Sequence, residues 1–209
     1  MYLKLYYSPT SPYARKALVV AKELKLSDSI EVITTNPLES ASELVKINPL
    51  SKVPALIRDD GFELYDSPLI CEYLFFISDV VNRKGLYGSK DGCSDSYFTI
   101  QCQHALADGV MDATFSLVME RKRALEHQSE LWVKRWLLAI ERGLREFGEF
   151  DRTLMEPLTV GSIATCCALG YLNLRTPDIR WQEEYPALDD WYQTMLQRDS
   201  LKDTDPCIN

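Results

Sequence analysis

Three small hydroxyl side chains crowd one turn near the start of the chain, Ser8-Pro9-Thr10-Ser11-Pro12-Tyr13-Ala14-Arg15-Lys16. Residues 2–7 before it alternate like a strand, and after it Ala14, Ala17, Leu18, Ala21 and Leu24 recur at helical spacing. Pro12 suits a first helical turn, where its missing N–H has no intrahelical partner, and this sets Ser11 at the N-cap. A hydroxyl beside main-chain N–H groups at the positive end of a helix can stabilise an anion such as a thiolate, a carboxylate or a phosphate. Two roles are therefore open to Ser11: capping its own helix, or donating to a bound anion. Ser8 and Thr10 are rival hydroxyls for the second role.

The elements that must hold this turn come in two blocks. Residues 30–34 form a β-branched run that reads as a second strand, and residues 36–47 read as a loop and a short helix ending at Asn48-Pro49. Two short apolar runs, 54–58 and 62–65, flank Asp59-Asp60-Gly61, which is a hairpin signal. Asp66-Ser67-Pro68 then opens a helix over 69–76 with an N-cap hydroxyl and a proline in the first turn. The order β-α-β-α-β-β-α joins a parallel βαβ unit to an antiparallel hairpin, which is the thioredoxin-like arrangement. Residues 81–95 carry glycines among charges and no period. The sequence thus predicts an α/β domain over 1–80, a linker over 81–95 and an all-α helical bundle over 96–209. In the bundle, 97–123 and 130–147 are expected to pack as an antiparallel pair, followed by helices over 159–172 and 188–196.

Composition narrows the functional classes. A formal charge of −8, with no block of Lys and Arg, argues against nucleic acid or an anionic membrane as partner. Six cysteines without C-x-x-C pairs read as reduced thiols, with Cys71, Cys166 and Cys167 packed as small hydrophobes. Two histidines, His104 and His127, without zinc-type spacing give no expectation of a metal. Asp108 and Asp112, four apart, read as a polar stripe on a helix rather than as an acid–base pair. The chain shows no signal peptide or spanning segment, and a cytoplasmic location is expected.

Four motifs together resemble the cytosolic glutathione transferases, in particular bacterial members with a serine in the active-site turn. They are the Ser8–Lys16 stretch, Asn48-Pro49-Leu50-Ser51-Lys52-Val53-Pro54-Ala55-Leu56, Leu64-Tyr65-Asp66-Ser67-Pro68-Leu69-Ile70, and Leu158-Thr159-Val160-Gly161-Ser162-Ile163-Ala164. The resemblance implies a glutathione transferase in which Ser11 contacts the sulfur of glutathione, the co-substrate. It implies a cis Val53-Pro54 peptide, with the Val53 backbone pairing with the cysteinyl backbone of the tripeptide. Lys52 would meet the glycyl carboxylate, and Asp66 and Ser67 the γ-glutamyl end. A small electrophile is the implied second substrate, with Tyr13, Phe115 and Met119 as candidate walls of its site in a cleft between the domains. A homodimer is implied, the first domain of one subunit against the helical half of the other.

The alternative is a binding or regulatory protein that keeps the fold without the chemistry. A thiol-disulfide reductase would want a cysteine where Ser11 stands. Two departures from the family pattern stand out. Ser162 occupies a place often held by aspartate, which gives a hydroxyl capping box with less charge at the helix start. Asp66 stands where many relatives carry glutamate, a shorter reach by one methylene.

Overall fold

Strand β1 (Leu3–Tyr7) buries Leu3, Leu5 and Tyr7 and turns Lys4 outward, the period-2 pattern of a strand packed on one face. In the computed structural model, which describes residues 2–38, 42–79, 85–88, 96–149 and 158–207, β1 is an inner strand of a four-stranded sheet. The strand order is β2-β1-β3-β4, with β2 Ile30–Thr34, β3 Ala55–Ile57 and β4 Glu63–Leu64. β1 and β2 run parallel, whereas β3 is antiparallel to both β1 and β4. Helices α1 (Pro12–Glu23), α2 (Ser42–Ile47) and α3 (Ser67–Ile77) complete this first unit, and α1 packs against α3. The thioredoxin-like arrangement expected from the sequence is the one observed.

Local chemistry accounts for the element ends. α1 closes with Lys25 at φ +58°, and the N–H groups of Lys25 and Leu26 donate to the carbonyls of Lys22 and Ala21. This is a Schellman closure with lysine in the left-handed place that glycine usually fills. In the hairpin, Gly61 N–H donates to Arg58 O and only Gly61 has positive φ (+83°). The connection is therefore a three-residue loop with a glycine bulge rather than a two-residue Asp-Gly turn.

The chain divides after residue 84, and the second unit is helical. Its long elements are α4 (Ser96–Arg121), α5 (Glu130–Glu149) and α6 (Val160–Arg175), followed by α7 (Trp181–Glu184), α8 (Pro186–Met195) and α9 (Asp199–Lys202). α6 is buried all round from Val160 to Leu172, so it is the central helix, while α5 is amphipathic with Ile140, Leu144 and Phe147 inward. α4 packs on both. Gly143 of α5 lies so close to Val110 of α4 that a Cβ there would collide with the valine methyl, which fits the expected antiparallel pairing. Gly161 meets Gln103 Cβ and the Ile100 carbonyl at 2.8 and 2.9 Å from an added Cβ, so α4 and α6 approach at a residue that must be small.

The start of α6 carries a complete hydroxyl capping box. Thr159 Oγ1 accepts from Ser162 N–H at 3.0 Å and Ser162 Oγ accepts from Thr159 N–H at 2.9 Å. Of the expected linker, only 85–88 lies within the described residues; Leu86 and Tyr87 are buried, and Leu86 O accepts from Val160 N–H at 2.8 Å. Cys71, Cys166 and Cys167 are buried and stand outside any disulfide, and Cys93 lies outside the described residues.

Candidate glutathione site

Strand register gathers the expected site residues at one end of the sheet. Tyr6 pairs with Ala55 and Leu56 with Leu64. Continuing both ladders outward, the chain leaving β1 toward Ser8, the chain entering β3 from Val53-Pro54 and the chain leaving β4 toward Asp66 share that end. A single apolar cluster binds these segments: Tyr7 from β1, Ala14 from α1, Leu44 and Ile47 from α2, Val53, and Ala55 from β3.

Ser11 is the N-cap of α1, in extended backbone (φ −89°, ψ 117°), with Pro12 at N1. Its Oγ accepts a hydrogen bond from Ala14 N–H at 3.2 Å, and its own N–H donates to Ser8 O at 2.9 Å. Capping uses a lone pair only, so the hydroxyl proton stays available to donate. The two roles open to Ser11 are thus compatible in one side chain. Ser8 is nearly buried and Thr10 is exposed, and neither caps the helix.

The Val53-Pro54 peptide is cis, and Tyr65-Asp66 is a second, non-proline cis peptide that the sequence did not signal. Lys52 is exposed and makes no ion pair among the described residues. Asp66 occupies the N-cap position of α3, yet its carboxylate makes no capping hydrogen bond and lies exposed. A plain cap would spend that carboxylate on the helix N–H groups; here it remains open to an external cation. Ser67 is buried at N1 of the same helix.

Sequence reasoning missed three things around this end. Arg15 and Lys16, named only as members of the first motif, are 1% and 0% exposed, and both hold polar or electrostatic partners. Ser51 has φ +51°. Asn48, read only as a helix stop, is buried and makes several bonds within 44–52. A polar residue just before a proline and three residues before the small Ser51 was the available signal.

On α4, Phe115 and Met119 are 42% and 37% exposed, so they are surface residues of the helical unit rather than its core. Tyr13 on α1 is half-buried. Asp108 sits 3.6 Å from His104 on the same helix, which makes the acidic pair part of a helical polar stripe. Among the described residues no three His, Cys, Asp or Glu side chains group to hold a metal ion, and no helix is long and apolar enough to cross a membrane.

Residues 10–74 match the family described as Glutathione S-transferase, N-terminal domain. A solved glutathione S-transferase from Methylobacillus flagellatus, with glutathione bound, is 36% identical, covers 98% of this chain and 99% of its own, and superposes with a TM-score of 0.87. An Escherichia coli K12 protein, described as the uncharacterized GST-like protein YibF, is 31% identical over 207 residues, 98% of each chain. The chain belongs to the glutathione S-transferase family. Within that family's reach lies also elongation factor 1-gamma of Danio rerio, 26% identical over 95% of this chain but only 44% of that protein. The glutathione S-transferase fold is therefore shared here by proteins whose names describe different work, and function rests on the site.

Proposed function

We propose that this chain is a serine-type glutathione transferase, in which Ser11 holds the sulfur of glutathione as a thiolate for attack on a small, mostly apolar electrophile. The observation that carries this reading is the state of the Ser11 hydroxyl. It caps α1 through a lone pair and keeps its proton for an anion at the positive end of that helix. The thiol proton passes to solvent, and Ser11 keeps its own. The thiolate then forms the C–S bond, and the leaving group departs with the electron pair of the bond it breaks. An unperturbed thiol titrates near 8.5, and lowering it by about two units takes roughly 2.7 kcal/mol. One charge-assisted hydrogen bond with a helix terminus is of that size.

The rest of the tripeptide matches the charges at the same sheet end. The uncommitted Asp66 carboxylate takes the γ-glutamyl ammonium, Ser67 and the α3 start take its carboxylate, Lys52 takes the glycyl carboxylate, and Val53 pairs with the cysteinyl backbone beside Pro54. Cysteines outside any disulfide at Cys71, Cys102, Cys166, Cys167 and Cys207 fit a reducing cytoplasm. A homodimer is part of the proposal. Leu69, Tyr73 and Phe76 share one face of α3, and the Arg58 guanidinium lies 5.4 Å from the Phe62 ring and 5.6 Å from the Tyr73 ring, joining hairpin and helix into one apolar surface.

The likeness to elongation factor 1-gamma favours a second reading, a glutathione-binding protein without conjugation. Retention on immobilised glutathione, run beside a conjugation assay with a panel of aryl halides and epoxides, separates the two. Retention with turnover supports the transferase. Retention without turnover across the panel supports the binding protein, and passage of the folded protein through the column contradicts both.

A further inference from the structure

Asn48 is 2% exposed, and its atoms hold the chain between α2 and β3 at four points. Its N–H donates to Leu44 O at 2.7 Å, and its carbonyl accepts from Ser51 N–H at 2.8 Å. Its side-chain Oδ1 accepts from Leu50 N–H at 3.0 Å, and Nδ2 donates to Lys52 O at 2.9 Å. The two ends of one buried amide thus bracket Ser51, which stands in the left-handed region at φ +51° with a buried Oγ that has no partner among the described residues. A non-glycine residue held there needs surroundings that fix it. No other side chain bonds this stretch among the described residues.

The bond to Lys52 O has a directional consequence. Lys52 C=O and Val53 N–H belong to one planar trans peptide, in which carbonyl and N–H point opposite ways. Fixing the carbonyl toward Asn48 fixes the Val53 N–H away from it, and that N–H has no acceptor among the described residues. We propose that Asn48 is a positioning residue for glutathione: its amide orients the Lys52–Val53 peptide so that the Val53 N–H meets the cysteinyl backbone of the tripeptide. The proposal rests on the glutathione reading above and adds to it a residue that touches no ligand.

The chemistry separates asparagine from its nearest substitutes. Aspartate keeps an acceptor for Leu50 N–H but has no donor for Lys52 O, and alanine has neither. Asn48→Asp is the isosteric variant and Asn48→Ala the truncation. The experiment is calorimetry of glutathione binding to the full-length wild type and both variants, at a temperature where circular dichroism shows each folded. The ultraviolet thiolate titration of each saturated complex is run beside it. Both variants are expected to bind glutathione about tenfold more weakly, the size of one to two hydrogen bonds, with the titration midpoint unchanged because Ser11 sets it. If Asn48→Ala does not fold, Asn48→Asp alone decides.

Wild-type affinity in the folded variants overturns the proposal, since a merely structural role lowers melting temperature without moving the dissociation constant. A titration midpoint that moves together with affinity also overturns it, because the whole site would then have shifted. Failure of the wild type itself to bind glutathione overturns the parent reading, and this one with it.

Discussion

Ser11 and Asp66 both occupy helix N-cap positions, yet they use them differently. Ser11 bonds Ala14 N–H and retains a donor, whereas Asp66 leaves its helix uncapped by its side chain. The Ser11 cap was legible because Pro12 marks a first helical turn, whereas at Pro68 the cap falls on Asp66 and the expected N-cap hydroxyl, Ser67, is already inside the helix. Whether a carboxylate caps or stays open depends on backbone geometry across several residues, so the Asp66 result was not legible. Asn48 shows the same limit: its partners Leu44, Leu50 and Lys52 are near in sequence, but only a folded turn makes them converge on one amide. Arg15 and Lys16 are buried although their residue types favour solvent, because tertiary packing decides their place.

Periodicity recovered the helices and strands that position the site, and failed where an element is too short to show a period. α7 and α9 are single turns of four residues, and the sequence gives no repeat on which to find them. The hydroxyl capping box of α6 was expected to be the weaker form, and both of its bonds are present. Ser162→Ala removes both bonds of that hydroxyl, the one accepted from Thr159 N–H and the one donated to Thr159 O, and leaves the buried Thr159 N–H without its acceptor, so a loss of about 1–2 kcal/mol in urea unfolding is expected. Unchanged stability would show that the box contributes nothing.

The turn between α4 and α5 carries a titratable tie. Ser129 N–H donates to Glu120 Oε1 at 2.7 Å and Arg123 pairs with the same carboxylate at 3.2 Å. The Ser129 hydrogen bond, opposed by desolvation and aided by Arg123, holds the Glu120 carboxyl below its ordinary 4.5. A depressed carboxylate contributes stability above its unfolded pKa and loses it as pH falls through the folded value. Melting curves of wild type and Glu120→Gln should therefore differ at pH 7 and converge as pH falls well below 4.5. A gap that persists or widens in acid contradicts that assignment.

At the scale of the molecule, the exposed α3 face asks for a cover. Phe76 is 72% exposed, seven residues on from Leu69 on the same helix face, and burying such a surface against a second copy is the proposed dimer. Sedimentation velocity should give a dimer for the wild type and a monomer for Phe76→Glu, whose fold is spared because the side chain is largely exposed. A wild-type monomer, or a dimer that survives the substitution, contradicts the interface. The partition into an α/β unit and a helical unit was legible from the change of hydrophobic period, whereas the apolar face was not, since Leu69, Tyr73 and Phe76 share the spacing of core residues. On the proposed function, this architecture serves one sulfur atom. The most direct test is the ultraviolet titration of the thiolate in the glutathione complex of wild type and Ser11→Ala. The midpoint should lie about two units below the free-thiol value of roughly 8.5 in the wild type and return most of the way to it in the variant. Identical midpoints would contradict the assignment of the thiolate to Ser11.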